Sequence, residues 1–229
     1  MTIRNVSRIS LGLSLSLVLV LGALGCEGHE DESEGDTFPS EIDLELFAQP
    51  VSFNDLELQG LLPASPAAYI ELRKQGLSSS EFTIVTSSGE KCGDDADQQA
   101  CEASFDAMPV ASEGFYYVEH PDDKFHYLAA TQAGASSTVT SAAEMKQFLG
   151  TIDNRSEALL LAAAQGYNWN ASELSEGAVR ETANGFELIV TQTNLCPIVT
   201  TGFLISVSTG GETAILNQWI ARPDEGFCS

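Results

Sequence analysis

The sequence predicts an α+β domain in which a C-terminal antiparallel β-meander packs with a helical hairpin and disulfides staple the fold. Residues 179–222 contain four runs of alternating apolar and polar residues, separated by turn residues. Two segments ahead of them, residues 141–150 and 153–166, have helical spacing and capping residues. An even set of four cysteines follows residue 90.

The first elements of the domain are expected to be short. Ser65-Pro66 is typical of a helix start, with Ser65 as the N-cap, and predicts a helix that ends at Gly76. Residues 82–86 predict a strand because they are rich in β-branched side chains. Residues 97–108 predict a helix, with Asp95 or Asp97 as its N-cap.

The middle of the chain predicts a hairpin of strands. Residues 126–131 and 137–140 are the expected strands, and Gly134-Ala135 is the expected turn.

Two helices are expected next. Ser141 and Glu144 have the spacing of a capping box, and Gly150 ends that helix. Asp153 or Asn154 is expected to cap a second helix, which would pack against the first as a helical hairpin.

The C-terminal part predicts a four-stranded meander. Asn184-Gly185 predicts a tight hairpin between residues 179–182 and 186–193, because Asn-Gly favours positive φ at both turn positions. Residues 199–208 and 213–222 predict two more strands, joined through Gly210-Gly211. Six residues are expected among the inward faces: Ile189, Phe203, Ile205, Val207, Ile215 and Trp219.

The first 25 residues have the pattern of a secretory signal peptide. Arg4 and Arg8 precede an apolar run from Ile9 to Leu24, which is shorter than the roughly twenty residues that a membrane span needs. Gly22-Ala23-Leu24-Gly25-Cys26 then resembles the lipobox of bacterial lipoproteins, although Ala23 stands where Leu is commonest. The resemblance implies that a lipid such as palmitate is attached to Cys26, which becomes the first residue after cleavage.

The lipobox resemblance implies a location outside the cytoplasm, in the cell envelope. The bilayer is then a partner through the lipid on Cys26. Because Glu27 is not the Asp that is read as an inner-membrane retention signal, the outer membrane is favoured over the inner membrane.

The acidic composition separates a tether from the folded part. Residues 27–46 contain nine acids in twenty positions, which predicts a disordered acidic tether over residues 26–46. Residues 47–229 then form a single α+β domain of unknown function, with a subdivision near residues 110–125 left open.

The charge also excludes one class of partner. Residues 1–25 contain two bases and no acid, so the rest of the chain has 8 bases, 33 acids and a net charge of −25. Phosphate backbones would repel such a chain, so no nucleic-acid binding is expected.

The cysteine count predicts disulfides. Cys92, Cys101, Cys196 and Cys228 remain once Cys26 carries lipid, and an oxidising compartment favours their pairing. Three connectivities are possible. Cys92–Cys101 and Cys196–Cys228 are favoured because each pair lies within one local segment.

The layout of residues 90–228 resembles a group of uncharacterised predicted lipoproteins of myxobacteria. The resemblance implies no activity. The residues that carry it are Cys92, Ala100-Cys101-Glu102, Phe148-Leu149-Gly150-Thr151-Ile152-Asp153, Glu157-Ala158, Gly166-Tyr167, Asn184-Gly185-Phe186-Glu187 and Cys196.

Three segments are candidates for chemistry or binding. His120, Asp122, Asp123 and His126 include the donor types that zinc accepts, but Pro-Asp-Asp is also ordinary turn chemistry. Asp94, Asp95 and Asp97 suit calcium, although capping of the following helix explains them more simply. Tyr167 and Trp169 follow the helical pair and are candidates for a binding surface.

No catalytic residue and no cofactor is predicted. The sequence favours a non-enzymatic binding or scaffolding module held at a membrane. A periplasmic protein that captures a small ligand or metal is the alternative, and a metal-dependent or hydrolytic enzyme that uses the histidine pair comes third.

Overall fold

The described part of the computed structural model comprises residues 38–76, 80–93, 96–115, 124–195 and 198–223. Within these ranges, the chain forms two four-stranded antiparallel sheets and three α-helices. The predicted α+β class is therefore confirmed. Apolar residues of both sheets and of two helices share one core.

The first sheet has the strand order β2-β1-β3-β4. A helix, α1, lies between β2 and β3 in the sequence, close to its predicted position. The bounds are Tyr69–Gly76 for β1, Phe82–Gly89 for β2, Gln98–Asp106 for α1, Lys124–Gln132 for β3 and Ala135–Val139 for β4.

The segment predicted as a helix between Ser65 and Gly76 is strand β1, so that prediction is wrong. β1 pairs with β2 on one side and with β3 on the other. Its residues alternate between the two faces of the sheet. Ile70 and Leu72 join the shared core, whereas Glu71 and Arg73 are buried on the opposite face.

Helices α2 (Ala142–Leu149) and α3 (Arg155–Ala164) follow the first sheet and contact each other. The predicted capping box of Ser141 and Glu144 is present at the start of α2. Asn154 caps α3, since its side chain accepts a hydrogen bond from the Glu157 N–H at 3.0 Å.

Helix α3 is a core helix whose seven residues from Glu157 to Ala163 are all buried. Its one buried acid, Glu157, is fully used within the fold. The carboxylate accepts hydrogen bonds from the backbone N–H groups of Leu62, at 2.6 Å, and Asp153, at 2.7 Å. Glu157 therefore fixes the loop before β1 to the start of α3.

The second sheet is a meander with the strand order β5-β6-β7-β8. In the β5–β6 hairpin, Thr182 pairs with Gly185, so the loop residues are Ala183 and Asn184. Only Gly185 of the Asn-Gly pair has a positive φ, of 137°, so the predicted pair of positive φ values is wrong. The bounds are Ala178–Thr182 for β5, Gly185–Leu195 for β6, Ile198–Ser208 for β7 and Thr213–Arg222 for β8.

Both faces of the second sheet are covered. Phe203, Ile205 and Val207 contribute to the shared core. Ile189 and Trp219 lie in a smaller cluster with Phe47, Ala178 and Leu204. Ile215, which was expected to face inward, is 54% exposed, so that expectation is wrong.

Residues 38–48, termed here the N-terminal strap, cover the second face of this sheet. Phe38, Ile42 and Leu44 pack against the smaller cluster. The Phe38 ring lies edge-on to Trp219 at a centroid distance of 5.0 Å, and Ala48 pairs with Val179. Residues 38–46 were predicted as the end of a disordered tether, but they have defined contacts here.

Among the described residues, no helix is both long enough and apolar enough to cross a membrane.

Candidate functional site

The face of the first sheet that lies opposite the shared core buries an unusual set of polar groups. Antiparallel register places Tyr69 of β1 beside Thr131 of β3, and Arg73 beside Tyr127. Helix α1 contributes Phe105 to this face, with its ring centroid 5.7 Å from that of Tyr69. The residues between the two strands and α1 are termed here the α1-covered face.

A buried ion pair occupies the centre of the α1-covered face. Glu71 is 1% exposed and Arg73 is 3% exposed, and their Oε2 and Nε atoms are 2.6 Å apart. The second oxygen of Glu71 accepts a hydrogen bond from the Tyr69 hydroxyl at 2.8 Å. Each buried charge is therefore paired, which offsets the cost of removing it from water.

Aromatic rings complete the surroundings of Arg73. Its guanidinium carbon lies 4.1 Å from the Phe82 ring centroid and 4.9 Å from that of Phe105. A guanidinium stacks well on aromatic faces because its charge is delocalised and weakly hydrated.

A second cation lies at the edge of the same face. Lys91 Nζ is 4.9 Å from the Phe105 ring centroid and 2.9 Å from Asp106 Oδ1. The hydrogen bond to Asp106 raises the pKa of Lys91. Burial, followed by the hydrogen bond to Glu71, raises the pKa of Tyr69, so the phenol stays protonated at neutral pH.

The predicted disulfide between Cys92 and Cys101 is present and ties the loop after β2 to α1. Beside it lies a cavity of about 250 Å³, lined by Pro66, Ala68, Cys92, Cys101, Thr131 and the β3–β4 turn at Ala133-Gly134. This space is termed here the disulfide cavity. Thr131 Oγ1 has no hydrogen-bond partner among the described residues.

A second concave region of about 520 Å³ lies at the start of α3. Arg155 and Glu181 belong to its wall and are paired with each other at 3.1 Å. Glu157, the buried acid nearby, is occupied by backbone donors, as described above. This region is therefore a polar surface cleft in which Arg155 and Glu181, two of the charged residues of the wall, are paired with each other.

Several predicted site residues lie outside the described residues. They are Cys26, Asp94, Asp95, His120, Asp122, Asp123, Cys196 and Cys228. The lipid site, the second disulfide and the histidine pair therefore stay predictions. Asp97 is described, and it caps α1 by accepting a hydrogen bond from the Ala100 N–H at 3.1 Å.

His126, the remaining metal candidate, lies in the interior. Its side chain is fully buried, and its ring lies 4.8 Å from that of Phe53. Its backbone pairs with Phe115 through two hydrogen bonds of 2.8 and 2.9 Å. These contacts make His126 part of the packing between β3 and the loop at Phe53. In the described ranges, no group of three or more His, Cys, Asp or Glu side chains is arranged to hold a metal ion.

The two aromatic candidates after α3 are packing residues as well. Trp169 is 3% exposed, and its indole N–H donates to the Val51 carbonyl at 2.8 Å. Tyr167 is half-buried, with its ring 5.5 Å from that of Phe203. Trp169 is therefore buried in the packing, whereas Tyr167 is partly exposed and stays a candidate.

The α1-covered face was missed by sequence reasoning. Its signal is the alternation of Ile70-Glu71-Leu72-Arg73, which fits a strand with one apolar and one charged face. Ser65-Pro66 outweighed that signal because it is a strong helix-start pattern. Burial of the charged face depends on α1, which is distant in the sequence.

No protein-family model, no curated protein and no solved structure matches the chain.

Proposed function

We propose that this chain is a lipid-anchored envelope protein that holds a non-enzymatic binding or scaffolding module outside the cytoplasm. The observation that carries the proposal is the lipobox pattern at Gly22–Cys26, which ends the apolar run and precedes an acidic segment. Lipid on Cys26 would fix the protein to the outer membrane, because Glu27 stands where an Asp would signal retention in the inner membrane.

The N-terminal strap supports an anchoring role. Phe38 lies twelve positions after Cys26, so the folded part starts within about 40 Å of the anchor even when the intervening chain is fully extended. Because the strap contacts Trp219 and pairs with Val179, a force on the anchor would reach the second sheet directly.

The α1-covered face supports a binding or scaffolding role over catalysis. Glu71 and Arg73 satisfy each other, Lys91 is paired with Asp106, and the Tyr69 phenol is held protonated. A general base or nucleophile requires a group that is free to exchange a proton or attack. These groups instead hold α1 against the sheet.

Lipid attachment is tested by comparing the wild-type protein with Cys26→Ser. We expect the wild-type protein to begin at Cys26, to exceed the mass of its polypeptide by the attached acyl chains and to sediment with membranes. The Cys26→Ser variant should keep its signal segment and lack the added mass. Cys92→Ser is the matched control, because it removes a cysteine outside the lipobox. A wild-type protein without added mass would contradict the proposal.

The choice of membrane has its own test. Glu27→Asp changes one methylene group in the residue after Cys26. If Glu27 directs export to the outer membrane, the Asp variant should shift to the inner-membrane fraction while its acyl mass is unchanged. If wild type and Glu27→Asp are distributed equally between the two membrane fractions, Glu27 does not determine the choice of membrane.

The disulfide cavity favours a second candidate function, the capture of a small ligand in the periplasm. Small-molecule sites are concave, are lined mainly by apolar groups and contain a few polar atoms. The cavity beside Cys92 and Cys101 has this character. The burial of His126 gives the metal form of this function less support than the small-molecule form.

A further inference from the structure

We propose that the disulfide cavity binds a small uncharged molecule with an apolar body and one hydrogen-bonding group. The inference deepens the small-ligand capture function and rests on it. It does not depend on lipid attachment to Cys26, so the two proposals can fail separately.

The size of the cavity limits its occupant. An apolar cavity of about 150 Å³ in another protein is large enough for benzene, and drug-sized sites begin near 300 Å³. The disulfide cavity, at about 250 Å³, lies between these values. It therefore suits a substituted benzene ring or a short-chain alcohol, amide or ketone of about eight to ten non-hydrogen atoms.

The wall of the cavity determines the chemistry of the occupant. The disulfide, the Ala68 methyl group and the Pro66 ring are apolar, which disfavours a charged ligand because its desolvation would not be compensated. Lys91, on the neighbouring α1-covered face, is already paired with Asp106.

Thr131 is the one residue with a side-chain hydroxyl among the described residues that line the cavity. This residue is 1% exposed, and its hydroxyl has no partner among the described residues. The hydroxyl is buried in this structure, and the proposal includes its rotation about the Cα–Cβ bond toward a bound ligand. A ligand with one hydroxyl, carbonyl or amide group would supply the missing partner.

The cavity is built from fixed parts. The disulfide holds Cys92 to α1, and the Ala68 N–H donates to the Thr131 carbonyl at 2.9 Å. Cys92 and Ala133, with φ values of 57° and 48°, are the two non-glycine residues with positive φ in the described ranges, and both line this cavity. The positive φ of Ala133 belongs to the two-residue turn between β3 and β4, which fixes the position of this wall.

An entrance is present at the rim. Pro66, Ala133 and Gly134 are exposed, whereas Cys92, Cys101 and Thr131 are buried. The Ala133-Gly134 turn and Pro66 therefore mark the open side, and the disulfide and the Thr131 side chain form the floor. A small ligand would enter with its apolar body toward the sulfur atoms.

The test uses the protein as purified from the expressing cell, in lipid nanodiscs if it carries acyl chains and in buffer if it does not. Empty nanodiscs or buffer alone are the blank. The probes are 4-fluorophenol and fluorobenzene, and binding is followed by fluorine NMR. For wild type we expect 4-fluorophenol to bind above the blank with a dissociation constant of about 0.1–1 mM, as its size allows. The intact mass of the same sample reports lipid attachment independently.

Three variants locate the site. Thr131→Val keeps the shape of the side chain and should weaken 4-fluorophenol binding about fivefold to tenfold while leaving fluorobenzene unchanged. Ala68→Leu should fill the cavity and abolish binding of both probes. Ala103→Leu, on the exposed side of α1 and away from the cavity, is the matched control and should bind as wild type does.

Two results would overturn the proposal. One is a wild-type protein that binds neither probe above the blank. The other is binding that Ala68→Leu and Thr131→Val leave unchanged, because the probes would then occupy another surface. Thermal unfolding of each variant identifies a loss of binding that arises from misfolding. If Ala68→Leu is misfolded, Ala68→Ser repeats the test with a smaller change to the wall.

Discussion

At the scale of single residues, Glu71 and Arg73 form the most consequential contact, because both charges are almost fully buried. Arg73→Met would keep much of the apolar volume but leave the Glu71 carboxylate without its cation. We expect a loss of about 3–5 kcal/mol in the free energy of unfolding, as for other buried pairs broken on one side. Denaturant unfolding at pH 7 measures this loss.

A second ion pair gives the control for that measurement. Arg155 and Glu181 lie 3.1 Å apart with side chains that are 49% and 64% exposed. Arg155→Met should cost less than about 1 kcal/mol, because solvent screens an exposed pair. Similar losses at both positions would contradict the difference between a buried pair at Glu71 and Arg73 and a solvent-screened pair at Arg155 and Glu181. The double variant Glu71→Leu/Arg73→Met should recover much of the loss.

At the scale of elements, the start of α2 allows a pH test. The Glu144 carboxylate accepts hydrogen bonds from the Thr140 N–H at 2.8 Å and from the Ser141 N–H at 3.2 Å. These bonds, led by the one from the Thr140 N–H, lower the pKa of Glu144 below its ordinary value. Because the folded-state pKa is the lower one, the ionised carboxylate stabilises the helix above the unfolded-state pKa. This stabilisation is lost as the pH falls through the folded-state value.

Glu144→Gln should therefore lower the free energy of unfolding at pH 7 by less than about 1 kcal/mol, since the carboxylate is exposed and screened. The difference from wild type should vanish at a pH below the lowered pKa. Ser141→Ala removes the other half of the capping box and should cost about 1 kcal/mol at either pH, because a hydroxyl does not titrate there. A Glu144→Gln effect that is equal at both pH values would contradict the role of the charge.

The same scale shows what the sequence can and cannot predict. Helix α2 was predictable because Ser141, Glu144 and Gly150 are local signals, and Asn154 marks α3 in the same way. Strand β1 was mispredicted because the helix-start pattern of Ser65-Pro66 outweighed its alternation. Glu71 and Arg73 also have the polarity of a solvent-exposed face. Their burial depends on Phe105 and Phe82, which come from other elements. Long-range contacts of this kind leave no local pattern.

The candidate site was predictable only in part, for the same reason. Cys92 and Cys101 could be paired from their spacing alone. Thr131 could not be recognised, because its side chain lines a cavity only where the segment before β1, helix α1 and the β3–β4 turn come together. Trp169 looked like a surface residue in a loop, and its burial depends on the distant Val51 carbonyl.

At the scale of the whole molecule, the two faces of the second sheet are covered by different parts of the fold. Helix α3 lies against one face of the second sheet at β5 and β6, whereas α2 contacts α3 and β4. Both helices contribute to a core that contains residues of both sheets. The strap covers the other face through a separate, smaller cluster around Trp219. Because few residues maintain this second contact, it should open more readily than the shared core. The part of the fold nearest the proposed anchor is then also its least stable layer.

This difference in stability can be measured by amide hydrogen exchange. The Ala48 and Val179 N–H groups each donate to the other residue's carbonyl at 2.9 Å. Phe38→Ala removes the ring that contacts Trp219, so exchange at both amides should rise about tenfold, while the amides of α3 keep their protection. Gly202→Ala tests the same contact from the other side, since a Cβ there would lie 2.2 Å from the Trp219 ring and displace it. Both variants should loosen the strap. Phe38→Ala removes the aromatic ring of the strap, and Gly202→Ala moves the Trp219 ring that it contacts. Unchanged exchange at Ala48 in Phe38→Ala would mean that the packing of Ile42, Leu44 and Phe47 and the backbone pairing hold the strap without the Phe38 ring.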